Sequence, residues 1–351
     1  MARRRAWSQL LKQRRQTPVV PGDFPMNLRL SAGLAGTFTL LAAAAIPTAA
    51  IACSSCGCSV ATDWTGAGYA NSSGLRIDAR FDFIDQNQLR LGSHTFDKNP
   101  EELPTEHEYQ QGSLSRFYTL GLDYSINRDW GINVQVPYLV REHQTIGEEQ
   151  DTADISRSET QGIGDVRLIA RWQGLFEDRS WGLQFGLKLP TGSHQKTFTD
   201  GPLATDAEII DRGLQNGTGT TDLILGVYNY AAISRDWDRF EQVQLKQALD
   251  KADGFRPSSQ FTASAGLRYV GFGRVTPQLQ LNARVEGKEV GSNADYDNSG
   301  SQAVYVSPGL SGTLAGTLNA YGFVQLPVYQ HYTGYQLAPH YLATVGLSYG
   351  F

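Results

Sequence analysis

The chain has 351 residues with 30 Lys or Arg against 35 Asp or Glu, a formal net charge of −5, and 37 glycines. That acidic balance lacks the basic face that phosphate neutralisation requires, which excludes a nucleic-acid partner. All three cysteines fall within six residues, so no disulfide staples the rest, and no apolar run after residue 52 reaches the eighteen residues of a transmembrane helix.

The first 52 residues read as a secretory signal peptide. Residues 30–52 carry no charge, Arg29 stands before them, Pro47 interrupts them, and Ala50-Ile51-Ala52 offers the small residues a signal peptidase reads. An uncleaved anchor helix is the alternative, since the run is just long enough to span a bilayer, but no basic stop-transfer cluster follows. Residues 1–25 look like an over-long n-region, with Met26 as an alternative start. Cleavage removes seven of the 30 bases and one of the 35 acids, leaving a net charge of −11.

Residues 53–73 form a periplasmic N-terminal segment that opens on Cys53, Cys56 and Cys58. Three readings stay open for them in an oxidising compartment. Two thiols pair and leave one over; or the C-x-x-C-x-C thiolates hold Cu(I) or Zn(II); or Cys53, which follows Ala52, carries a lipid. Gly57 rather than His follows Cys56, which excludes a c-type haem.

From Gly74 the pattern changes. In GLRIDARFDF the apolar Leu75, Ile77, Ala79, Phe81 and Phe83 alternate with Arg76, Asp78, Arg80 and Asp82. A period of two places each set on its own face of a strand. The alternation recurs near 114–126, 130–141, 163–173, 181–190, 221–233, 240–249, 259–270, 274–286, 302–311, 317–328 and 340–351. That predicts twelve strands of about ten residues, the length a tilted strand needs to cross a bilayer.

The connections sort by parity. Those after even strands are short, such as residues 127–129, while those after odd strands are mostly long, such as 84–113, 142–162 and 191–220. Tight periplasmic turns and longer extracellular loops are what an outer-membrane barrel shows. Trp130, Trp172, Trp181 and Trp237 all lie at or beside the short turns, as a periplasmic aromatic girdle requires. The final YLATVGLSYGF has one apolar face that includes Tyr349 and ends on Phe351, similar to the C-terminal signal for barrel insertion. The predicted fold class is all-β: over residues 74–351, a transmembrane antiparallel β-barrel of about twelve strands with both chain ends periplasmic. In lipid such a sheet must close on itself.

Three upward strands share a local repeat, VQVPY, LKLPT and VQLPV, that points Gln135, Lys188 and Gln325 inward ahead of a proline. A proline lacks a ladder donor and belongs at a strand end or bulge. Either these residues are rim architecture, or they form a ring of donors at the pore mouth. Lys188 lies seven residues above Trp181, and Asp165 seven above Trp172 on the preceding strand; Asp222 tops the next. One ammonium is thus expected between two carboxylates, with Arg167 and Arg171 continuing inward below Asp165. Such a wall either holds itself through ion pairs or also sets selectivity for charged solutes.

The six histidines fall in or beside the predicted extracellular loops without a tight ligand spacing. No nucleophile elbow, HExxH, P-loop or paired-carboxylate motif occurs, so the chain reads as a non-enzyme.

GIGDVRLIARWQG, LKLPTGSH, GTGTTDLILGVYN and the terminal GLSYGF together resemble the outer-membrane barrel family named for the MetA pathway of phenol degradation, allied to hydrophobic-solute channels. CSSCGC resembles the cysteine-rich leader of outer-membrane proteins that carry such a barrel. The resemblance implies an outer-membrane, transport-like role without naming a substrate. The expectation is a passive channel for small solutes in the cell outer membrane, in contact with lipid, lipopolysaccharide and the barrel-assembly machinery. The alternative is a non-conducting barrel whose Cys-rich N-terminus binds a metal or a periplasmic partner.

Overall fold

The computed structural model describes residues 74–96, 109–146 and 155–351. The signal peptide and the Cys53, Cys56 and Cys58 cluster lie outside the described residues. Within them the chain is built from strands: β1 Gly74–Gly92, β2 His94–Thr95, β3 Tyr109–Ser125, β4 Trp130–Ile146, β5 Ile155–Ile163, β6 Val166–Trp172, β7 Trp181–Leu189 and β8 Asp222–Ala232. There follow β9 Trp237–Ala248, β10 Phe255–Arg256, β11 Gln260–Tyr269, β12 Val275–Glu286, β13 Val290–Gly291, β14 Ser301–Ala315 and β15 Leu318–Gly350. The two-residue β2, β10 and β13 decorate one rim.

The remaining strands form one antiparallel sheet ordered by sequence, and β15 pairs back onto β1, so the sheet closes. β15 serves as two staves. Residues 318–332 pair with β14 and residues 332–350 with β1, and the chain reverses beside Gly334 at φ 68°. β5 and β6 share one stave beside β4. The barrel thus has the expected twelve staves. Parity demands an even number, because an odd ring would force one parallel neighbour.

The alternation seen in the sequence sets the two faces. Tyr118, Leu120, Leu122 and Tyr124 of β3 are exposed on the outside, whereas Thr119, Asp123 and Ser125 are buried within. A sheet folded for water would present the opposite sides. Aromatic residues edge the apolar band: Trp130 pairs with Trp172 at the short-turn end, and Tyr118 with Tyr138 at the other.

The expectation of ten-residue strands needs correction. β1 runs for 19 residues, and β3 and β4 for 17 each. Above the apolar band the outer face becomes polar, as at the Arg116–Glu142 ion pair of 2.6 Å. Backbone pairing continues there, but the apolar half of the alternation is lost, so sequence periodicity ends before the strand does. The short connections are as tight as predicted. The Asn127 side chain accepts from the backbone N–H groups of Asp129 and Trp130, each at 2.8 Å, an Asx turn that closes the β3–β4 hairpin.

Candidate functional site

Each proline of the repeat motif falls where the ladder is interrupted. Pro137 of β4 has no N–H to give the next stave, and there the stave splits: β5 pairs with residues 138–146 and β6 with residues 130–135. Between them Gly164 donates to the Pro137 carbonyl at 2.8 Å, and Asp165 is left outside the ladder. β7 ends one residue before Pro190, and the β14–β15 register shifts between Val304 and Tyr305, where Tyr305 faces Pro327. Each of the three prolines thus marks a strand end or a bulge.

The break builds one continuous rung. Gln135 of β4 faces Arg167 of β6, which faces Lys188 of β7, which faces Asp222 of β8. The predicted ammonium between two carboxylates is present: Lys188 Nζ is 2.7 Å from Asp165 Oδ2 and 3.4 Å from Asp222 Oδ2, with all three side chains buried. Lys188 also donates to Thr218 Oγ1 at 2.6 Å and to the Thr220 carbonyl at 2.9 Å.

What the sequence reading missed is the other half of this cluster. The long connection between β7 and β8, expected as an extracellular loop, folds into the lumen. Asp165 accepts from the backbone N–H of Gly192 and of Thr218, each at 3.0 Å, and Asp222 accepts from Thr220 Oγ1 at 2.8 Å. The charged cluster is therefore a clip that fixes both ends of the loop to the wall. Every group in it has its partners, the condition under which buried charges are tolerated.

The loop carries a small core of its own. Phe198, Ile210 and Leu214 are buried together, and Gln215 exchanges side-chain hydrogen bonds with the backbone N–H and carbonyl of Lys196, each at 2.9 Å. Asp211 accepts from the Gly213 N–H at 2.8 Å and so caps a 3₁₀ turn over residues 212–214. Burial away from water pushes the Asp211 carboxyl up to about 6. Arg141, inward on β4, donates to the Gly213 carbonyl at 3.2 Å. Arg212 reaches Asp253 at 3.0 Å and lies 5.5 Å from the Phe255 ring.

Beneath this loop is a cavity of about 100 Å³. Its wall mixes two characters. Phe117, Pro137 and Leu139 give it an apolar side; the polar side, with Gln135, has more bases, among them Arg167, Lys188 and the loop's own Arg212, than acids, which are Asp82, Asp165 and Glu286. The space holds several water molecules or one small solute.

The other predicted lumen residues are spread more widely. Arg171 sits lower, 2.7 Å from Asp123 Oδ1 and buried with it. Gln135 donates to Asn133 Oδ1 at 2.9 Å. Gln325 is almost fully buried but does not line the cavity, so the expected ring of donors is split. Toward the short-turn end the lumen is aromatic. Phe240 and Phe323 are buried against each other, with Tyr230 and Tyr321 packed around them, and Tyr321 donates to Asp78 at 3.0 Å. The Tyr321 ring lies against Gly346, where an added Cβ would stand 2.2 Å from it.

Trp130, Trp181 and Trp237 are exposed on the outer face. Trp130 lies 6.3 Å from Trp172, and Trp237 5.1 Å from Tyr269. Tyr349 and Phe351 meet edge to face at 4.9 Å, and the Phe351 N–H donates to the Leu75 carbonyl at 2.9 Å. His143 lies not in a loop but buried in the wall, between Ser113 and Ser158 on the flanking strands. Among the described residues no group of three or more His, Cys, Asp or Glu could hold a metal ion.

No family model matches the sequence, and no curated protein matches it. The fold is similar to that of an outer-membrane channel from Pseudomonas putida F1, at 13% identity and a TM-score of 0.59, covering 81% of this chain and 98% of that one. The toluene transporter TbuX of Ralstonia pickettii gives a TM-score of 0.42 at 7% identity, covering 80% of this chain and 90% of that one. The translocator domain of the autotransporter NalP from Neisseria meningitidis gives 0.44 at 10% identity, covering 82% and 91%. At such identities the likeness to the Pseudomonas channel is one of architecture: this chain has the closed antiparallel β-barrel fold of an outer-membrane channel.

Proposed function

We propose that the protein is an outer-membrane channel that admits small solutes through a lumen narrowed by the inward loop of residues 191–220. The observation that carries this reading is the inverted barrel: an apolar outer band edged by aromatic residues around a polar interior that contains a cavity. Lipid and lipopolysaccharide cover the band, and the barrel-assembly machinery inserts it through the stripe ending in Tyr349 and Phe351. The tryptophans sit at the periplasmic interface with both chain ends on that side. No chemistry is assigned to the lumen.

Conductance of the purified protein in planar bilayers tests this. Stable single-channel openings are expected. In the same assay Lys188→Glu should shift the reversal potential; an unchanged value removes Lys188 from the solute's path. The rival reading, a non-conducting barrel with its Cys-rich segment as the working part, is favoured by the tight lumen, where Asn282 and Gln325 are each only 1% exposed. Bilayers that never show openings would establish it in place of the channel. Mass spectrometry of the mature N-terminus would then decide between lipid, disulfide and free or metal-holding thiols at Cys53, Cys56 and Cys58.

A further inference from the structure

We infer that the cavity under the inward loop binds a small organic monoanion with an apolar body, its carboxylate held by Arg167. For the solute's route the inference rests on the channel reading; the site itself rests on the charge and shape of the wall.

The first observation is how the bases around the cavity are satisfied. Arg80 is taken by Asp82, Lys188 by Asp165 and Asp222, and Arg212 by Asp253. Arg141 donates to Ser115 Oγ and the Gly213 carbonyl among its contacts, and Lys246 is partnered as well. Arg167 also lines the cavity, and it has no carboxylate or hydrogen-bond partner among the described residues. Its cross-strand neighbours Gln135 and Lys188 carry no negative charge, and the carboxylates that line the same space, Asp82, Asp165 and Glu286, are held by Arg80, Lys188 and Arg284. A half-buried guanidinium beside a loop-covered space has lost part of its hydration, and a planar carboxylate matches its two-pronged donor geometry.

The second observation is the opposite wall. Phe117, Pro137 and Leu139 face the same space, and the Arg141 guanidinium stands 6.0 Å from the Phe117 ring. A hydrated inorganic anion would leave this apolar side unmatched. A neutral hydrocarbon would leave Arg167 uncompensated, and a metal cation would meet its charge directly. A compact carboxylate on an aromatic or branched aliphatic body satisfies both sides, and the volume of about 100 Å³ limits it to roughly a single ring.

The test is calorimetric titration of the purified full chain in detergent with benzoate, with its neutral isostere benzamide, and with acetate. Benzoate should bind about tenfold or more tightly than either comparison, the factor expected for one charge-assisted hydrogen-bonded contact. Arg167→Gln should lower benzoate affinity to the benzamide level, and Arg167→Lys should keep part of it. Equal binding of benzoate and benzamide overturns the role of the charge, and equal binding of benzoate and acetate overturns the apolar body. Undiminished benzoate binding by Arg167→Gln, with the barrel shown to be folded by its heat-modifiable electrophoretic mobility, overturns the assignment to Arg167. Titration needs no conduction, so Arg167-dependent binding by a protein without openings would sink the channel and spare the site. A conducting protein that ignores benzoate would do the reverse.

Discussion

Pro137 of β4 determines where Asp165 stands. The proline withholds a donor, the neighbouring stave breaks at Gly164, and the Asp165 carboxylate leaves the ladder to meet Lys188 at 2.7 Å. A backbone defect in one strand therefore places a charge on the next stave, and that charge anchors the loop that narrows the lumen.

Removal of the ammonium should free the loop. In Lys188→Met the Asp165 and Asp222 carboxylates stay buried without their cation, which costs about 3–5 kcal/mol by the precedent of broken buried pairs. The temperature at which the folded electrophoretic band disappears should fall. Protease added to the purified barrel should cut within residues 191–220, where the parent protein resists.

The loop should be tighter in acid. Burial raises the Asp211 carboxyl to about 6, above its ordinary 3.8, so the folded loop binds this proton more tightly than an opened one. Its contribution is complete below the ordinary value and is lost as pH rises through about 6. Hydrogen-exchange protection over residues 208–216, taken relative to the intrinsic exchange rate at each pH, should be greater at pH 5 than at pH 7.5. Asp211→Asn keeps a capping side chain and should flatten that difference in protection.

Arg171 and Asp123 form a second buried pair, at 2.7 Å and apart from the clip. Arg171→Met and Asp123→Asn should each destabilise the barrel. The double variant should be less destabilised than the sum of the two by about 0.5–3 kcal/mol, the range for directly coupled side chains. Thermal unfolding of the four proteins checks this, and strict additivity would deny the pair.

Gly346 leaves room for the Tyr321 ring. A methyl group there would stand 2.2 Å from the ring, so Gly346→Ala must displace Tyr321 and break its hydrogen bond to Asp78. Overpacking of this kind costs about 1–3 kcal/mol. Tyr321→Phe loses the hydroxyl without the clash, and its smaller loss of stability would separate the two contributions.

Much of this was legible before any coordinates. The period of two located all twelve staves, because lipid outside and water-loving groups inside enforce it along each strand. Counting seven residues up from Trp172 and from Trp181 brought Asp165 to Lys188, since paired staves share one rise per residue. The inward loop was not legible. Phe198, Ile210 and Leu214 follow no strand or helix period, and their burial comes from a fold-back around Gln215 and Asp211. Nor could periodicity single out Arg167 from Arg171: both point inward, and only the register gives one of them Asp123 and the other an open space.

The seam between β1 and β15 joins Arg76 to Gly350, so the barrel is sealed by contacts between opposite ends of the described sequence. Loop-closure entropy makes such distant pairing slow, and until it forms two long strand edges are unsatisfied. A nascent chain therefore cannot complete its cylinder before its last residues have been made. A truncation of even a few C-terminal residues would start to unzip the structure from its first strand, a lesion felt far from the missing amino acids in the sequence.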